Sequence, residues 1–169
     1  MSEHNTIARR KTRQIRVGSV PVGGNAPVAV QSMTSTDTRD VEATVAQIGR
    51  LEKAGCEIVR VAVLDEEAAR AIRAIRQGIG IPLIADIHFS RKLAVAALES
   101  GADAVRVNPG NLGREKIRDI VAAAKERGAS LRIGVNSGSV EKELLAKHGG
   151  PCAEALVESA MGSVAFIED

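Results

Sequence analysis

From residue 27 onward, short apolar runs alternate with longer segments whose apolar residues recur every three or four positions. The short runs have strand length: 27–33 (PVAVQSM), 57–63 (EIVRVAV), 83–88 (LIADIH), 103–111 (a strand running into a tight turn) and 131–136 (LRIGVN). The intervening segments read as amphipathic helices bounded by polar caps and glycines. Asp37 or Thr38 caps the first, which carries Val41, Val45, Ile48 and Leu51 and stops near Gly55. Asp65 caps the second, with Glu66 and Glu67 in the first turn, where the helix dipole favours them, and Ala68, Ala69, Ile72 and Ile75 on its core face. Ser90 caps the third, Pro109-Gly110 opens the fourth, and a fifth begins at Ser139 and is broken by Gly149-Gly150-Pro151. A last helix carries Leu156, Val157, Ala160, Met161 and Val164. Ahead of this alternation, 14–24 reads as a short hairpin, and 1–13, with Arg9, Arg10, Lys11 and Arg13, as a solvated basic tail.

Strict strand–helix alternation predicts a parallel sheet, and such strands are covered on both faces. Four of the runs break the rule at strand period. Val59, Val61 and Val63 share one face while Arg60 takes the other; Val105 and Val107 oppose Arg106 and Asn108; Leu131, Ile133 and Val135 oppose Arg132, Gly134 and Asn136; and Asp86 and His88 share a face opposite Ala85 and Ile87. The spacing Gly-x-x-x-Val-Arg-Val at 55–61 recurs at 101–107. Two closures compete, an open doubly wound sheet and a (β/α)8 barrel. An open sheet packs helices on both faces and has no room for a row of polar groups. A barrel gives one face to the lumen and builds its site from the strands' C-terminal ends, where Arg60, Asp86, His88, Arg106, Asn108, Arg132 and Asn136 all fall. The expected fold is therefore α/β, a TIM barrel represented by roughly its first five βα units. A whole barrel needs about 250 residues, so the 169 residues read as the N-terminal part of a longer protein.

Composition narrows the function. Phe89 and Phe166 are the only aromatic residues and the net charge is +2, which argues against nucleic-acid binding by base stacking or by a basic surface. No apolar stretch is long enough for a secretory signal or a membrane span. Cys56 and Cys152 form no C-x-x-C pair, so no metal site is read from them, and the expected location is cytoplasmic with buried thiols.

The chemistry rests on charge. Burying a guanidinium costs several kcal/mol unless it is paired. One pair, an arginine with Asp86, would be an ordinary structural feature. Three arginines against one acid leave positive charge over, which a polyanionic ligand would balance. Arginine's planar fork suits phosphate oxygens, and three on one lumen face suit a diphosphate. The turns 108–111 (NPGN) and 136–139 (NSGS) would add backbone N–H groups at helix starts. Asp86 and His88 could act together as hydroxyl binder and acid/base.

The motifs 30–34 (VQSMT), 85–89 (ADIHF), 105–111 (VRVNPGN), 132–136 (RIGVN) and 154–160 (EALVESA) stand in the order seen in 4-hydroxy-3-methylbut-2-enyl diphosphate synthases, and the chain resembles that family from about Thr12 to its end. The resemblance implies reductive ring opening and dehydration of 2-C-methyl-D-erythritol 2,4-cyclodiphosphate in the non-mevalonate isoprenoid pathway. It implies electrons from flavodoxin or ferredoxin through a [4Fe-4S] cluster, held by a C-terminal domain on three cysteines and a glutamate. It also implies homodimers in which one subunit's cluster domain closes the other's barrel. By motif match, Arg60, Arg106, Arg132 and Asn136 would bind substrate, with Asp86, His88 and Asn108 nearby. Taken with the acid/base reading above, Asp86 and His88 are the expected catalytic pair, and Asn108 joins the expected substrate-binding residues. The family's barrel lysine on the following strand has no counterpart here, and Cys56 and Cys152 match no cluster motif. Two rival readings stand beside this one: a dihydropteroate-synthase-like diphosphate-binding barrel, for which no pterin-pocket signature is visible, and a non-catalytic barrel fragment.

Overall fold

The structure, a computed structural model, describes residues 10–168. The first nine residues of the expected basic tail lie outside that range. Residues 10–13 are exposed and carry no regular structure, although Thr12 Oγ1 accepts a hydrogen bond from Gly24 N at 2.9 Å. The hairpin forms as β1 (Ile15–Val17) and β2 (Val20–Val22), paired antiparallel.

The main sheet has five parallel strands in sequence order: β3 (Gln31–Met33), β4 (Ile58–Ala62), β5 (Leu83–Asp86), β6 (Ala104–Val107) and β7 (Ser130–Ile133). Helices α1 (Val41–Lys53), α2 (Glu66–Gln77) and α3 (Arg91–Glu99) connect successive strands. α4 (Pro109–Leu112) and α5 (Arg114–Arg127) lead from β6 to β7; α6 (Lys142–His148) and α7 (Ala153–Glu168) follow. An order without reversal is what half of a closed barrel gives and what a doubly wound sheet, which reverses at its switch point, does not.

The two faces of the sheet divide as the alternation requires. Val59, Val61, Leu83, Ala85, Val105 and Val107 are at most 0% exposed and join Ile72, Ile75, Ile117 and Ile120 of the helices in the main core. On the other face, Ile58, Ile84 and Ala104 form a floor, and Val17 of the hairpin packs onto it with Val20 and Val22. The hairpin thus seals the N-terminal end of the lumen with apolar side chains.

A paired device fixes the strand starts. Gly55 and Gly101 end their helices, and two residues later Glu57 and Asp103 accept from the backbone N–H of the neighbouring strand, Val30 N at 2.8 Å and Leu83 N at 2.8 Å. This is the structural meaning of the repeated spacing.

Several boundaries differ from expectation for local reasons. The first helix is capped by Asp40, whose Oδ1 accepts from Ala43 N. Asp37 is held by Arg39 instead, and Thr38 Oγ1 donates to Ala62 O. The first strand covers only 31–33, because Glu57 takes the Val30 N–H. The fourth helix is interrupted at Gly113, whose φ of 80° lies in the left-handed region. Ser139 closes a single 3-10 turn, Ser137–Ser139, and α6 starts three residues later.

Candidate functional site

Above the apolar floor, strand alternation sets Arg60, Asp86, Arg106 and Arg132 as the next lumen layer. The register places Asp86 opposite Arg106 and Arg106 opposite Arg132, with Arg60 on the strand beside Asp86. Asp86 is 4% exposed and lies between two guanidinium groups, 3.6 Å from Arg60 Nε and 3.4 Å from Arg106 Nη1. His88, just beyond β5, has Nε2 3.5 Å from Asp86 Oδ2, and its Nδ1 is 3.3 Å from Arg106 Nη1. Arginine can only donate, so Nδ1 accepts and the ring proton sits on Nε2, facing the carboxylate. The ring of Phe89 lies 5.8 Å from that of His88 at the exposed rim.

Arg132 reaches from one edge strand to the other. Its Nη1 donates to Gln31 Oε1 on β3, which shows how far the sheet has curled. Its partner there is a neutral amide. Burial and the neighbouring charge of Arg60 both pull the Arg132 pKa below its ordinary value. Three guanidinium groups and one carboxylate leave the layer with positive charge over. Both sequence readings are therefore present together: the structural ion pair at Asp86, and an excess of cation that the pair does not neutralise.

The two asparagines play parts the strand pattern did not foretell. Asn108 is 1% exposed. Its Nδ2 donates to Ser139 Oγ at 2.9 Å and its Oδ1 accepts from Gly110 N at 3.2 Å. Asn136 is exposed, and its Oδ1 accepts from Gly138 N at 3.1 Å. Asn111 N and Ser139 N bond the carbonyls of Asn108 and Asn136. The turn N–H groups expected to meet an anion are thus spent within their own turns. Gly110 packs directly on Ser139: a Cβ there would overlap its carbonyl oxygen. The β6 and β7 loops are latched together, and Ser139, read from sequence as the start of a helix, is the hub. The Asn-x-Gly and Asn-x-Gly-Ser spacings of local capping turns were the available signal.

Among the described residues, no group of three or more His, Cys, Asp or Glu is placed to hold a metal ion. Cys56 is buried with its Sγ donating to Ile58 O at 3.1 Å, and Cys152 is half-buried. These donors do not fit an iron–sulfur cluster. No helix among the described residues is long and apolar enough to cross a membrane. A groove of about 480 Å³ lined by Ile117, Leu144, Ser159 and Phe166 lies among α5, α6 and α7 and shares no residue with the arginine layer.

Comparison with known proteins bears on this geometry. The synthase 4-hydroxy-3-methylbut-2-en-1-yl diphosphate synthase (flavodoxin) from Caldanaerobacter subterraneus subsp. tengcongensis is 58% identical over 161 residues, 95% of this chain and 45% of that protein. The enzyme of the same name from Desulfotalea psychrophila is 59% identical over 166 residues, 96% of this chain and 46% of its own length. The chain thus spans less than half the length of the curated relatives it matches. Among solved structures, dihydropteroate synthase from Xanthomonas albilineans in complex with 7,8-dihydropteroate superposes with a TM-score of 0.58 at 17% identity, over 91% of this chain and 61% of that one. At that identity the likeness speaks for the barrel alone. The GcpE TIM-barrel domain matches residues 12–169, and with a half-barrel of in-order parallel strands carrying an arginine layer in its lumen, the chain belongs to that family.

Proposed function

We propose that this chain supplies the substrate-binding barrel portion of a 4-hydroxy-3-methylbut-2-en-1-yl diphosphate synthase. That enzyme opens 2-C-methyl-D-erythritol 2,4-cyclodiphosphate reductively and dehydrates it to the linear diphosphate. The observation that carries the reading is the uncompensated positive charge of Arg60, Arg106 and Arg132 around a single carboxylate. The identity of about 58% to proteins named for that activity supports it.

In this reading Arg106 and Arg132 hold the diphosphate, Arg60 completes the cationic wall, and Asn136 lies at the rim beside them. Asn108 acts indirectly, by fixing the β6 and β7 loops. Asp86 repels phosphate, yet two arginines stand between it and any anion, so it faces the hydroxyl side of the substrate together with His88. With its proton on Nε2, His88 is poised to accept at Nδ1 once an anion draws Arg106 away. The full enzyme would take electrons from flavodoxin, as its relatives' names state, or from ferredoxin, through a [4Fe-4S] cluster carried on residues outside this chain. It would work in the cytoplasm as a homodimer. The cluster supplies the electrons, and no redox step is assigned to the residues described here. The dihydropteroate-synthase-like alternative rests only on a shared fold.

Calorimetry with inorganic pyrophosphate and with the cyclic diphosphate tests the proposal. Arg106→Lys and Arg132→Lys should each weaken binding about ten- to hundredfold, because lysine keeps the charge and loses the fork. Unchanged affinity in both variants would remove the diphosphate assignment. In the assembled enzyme, Asp86→Asn should bind pyrophosphate no more weakly and lose turnover. The purified 169-residue chain, given reduced flavodoxin, should form no product.

A further inference from the structure

We propose that Gly134 is the positioning residue of Arg106, and that the site needs its missing side chain rather than its backbone freedom. The purpose assigned to this seat rests on the anion-binding reading above.

Arg106 and Arg132 are partners in the β6–β7 register, and two like charges side by side must part. Arg132 goes across the lumen to Gln31. Arg106 goes the other way: its Nη1 faces Asp86 and His88 on the β5 side, while its Nε and Nη2 edge lies on Gly134. A Cβ at position 134 would overlap Nε and Nη2 and stand 2.7 Å from Cζ. The nearest atoms all belong to this one guanidinium. At Gly110, by contrast, the nearest atom is a backbone carbonyl oxygen.

The backbone gives glycine no other reason to be there. Gly134 is not among the residues with positive φ, and its N–H continues the ladder by donating to Val107 O at 2.8 Å. Glycine in such an extended position costs conformational entropy and contributes no packing. An alanine would suit the main chain and would leave the guanidinium nowhere to lie. Retreat toward Arg132 is opposed by like charge, so Arg106 would lift toward the mouth and leave Asp86 and His88.

The test is a cycle of Gly134→Ala, Arg106→Ala and the double variant, read by pyrophosphate calorimetry and by the Arg106 Nε–Hε NMR signal, which is assigned by its loss in Arg106→Ala. Gly134→Ala should weaken pyrophosphate about tenfold or more and shift the Nε signal without ligand. In the Arg106→Ala background it should have no further effect on affinity. An equal loss in both backgrounds would make Gly134 a general packing residue and overturn the proposal, as would an Nε signal that does not move. If the signal moves while Arg106→Ala binds pyrophosphate normally, the seat stands and the anion reading of the layer fails.

Discussion

At the scale of single residues, Asp86 acts as an internal stand-in for an anion. Buried between Arg60 and Arg106, it keeps two guanidinium groups facing inward when nothing else is bound. An external anion must share those groups with it. Asp86→Asn should therefore raise pyrophosphate affinity several-fold while lowering the stability of the ligand-free chain by about 1–3 kcal/mol, the cost of removing a charged partner from half-buried arginines. Calorimetry and urea unfolding on the same preparation measure both, and an affinity that fell would show that Asp86 does not compete. Arginines at strand period were legible in the sequence because a charge on a covered face demands a partner, and one carboxylate cannot balance three. The asparagines looked equivalent to them in the pattern and are not. A short amide beside a glycine can satisfy its own turn, and only the three-dimensional arrangement of Asn108, Gly110 and Ser139 shows that it does.

At the scale of elements, the latch joins the loops that follow the two strands carrying Arg106 and Arg132, which the β6–β7 register sets side by side. Asn108→Ala leaves Ser139 Oγ with its Asn136 partners alone and strips Gly110 N of its acceptor, and should cost about 1–3 kcal/mol in urea unfolding. Gly110→Ala should cost as much through overlap with the Ser139 backbone. The α6–α7 corner carries a pH signature. Lys147 and then His148 hydrogen-bond Glu158 and hold its carboxyl below its ordinary range. A carboxyl depressed on folding stabilises above its unfolded pKa and loses that contribution as the pH falls through the folded value. Glu158→Gln should accordingly lower Tm at neutral pH, where the ionised carboxyl contributes, and flatten the acid side of the Tm-against-pH profile, so that the two proteins converge as the pH falls. Element types and order followed from periodicity, since β-strand and helix periods differ plainly over these lengths. Ends did not: Asp37, Thr38 and Asp40 are all competent caps, and Arg39 engages the first while the Ala62 carbonyl takes the second, leaving Asp40 to cap.

At the scale of the whole molecule, β3 and β7 are sheet edges, and beside β3 Val28 and Val30 are 80% and 54% exposed. Unpaired edges with apolar neighbours invite strand addition. Sedimentation of the purified chain should show concentration-dependent association, and a monomer at all concentrations would argue against it. The hairpin beneath the lumen is a second whole-molecule feature. Val17→Ala, which removes a side chain 3% exposed, should cost about 1.5–3 kcal/mol in urea unfolding. That hairpin also shapes the electric field. An oily stopper under three fixed cations cannot polarise toward them, so field lines leave away from it, toward the wet mouth. Negative molecules would feel the well at a distance, and their arrival rate, far more than their escape rate, should fall as salt is added. A stopped-flow series with pyrophosphate across ionic strength would show the asymmetry as a steep slope in the association rate beside a nearly flat one for dissociation.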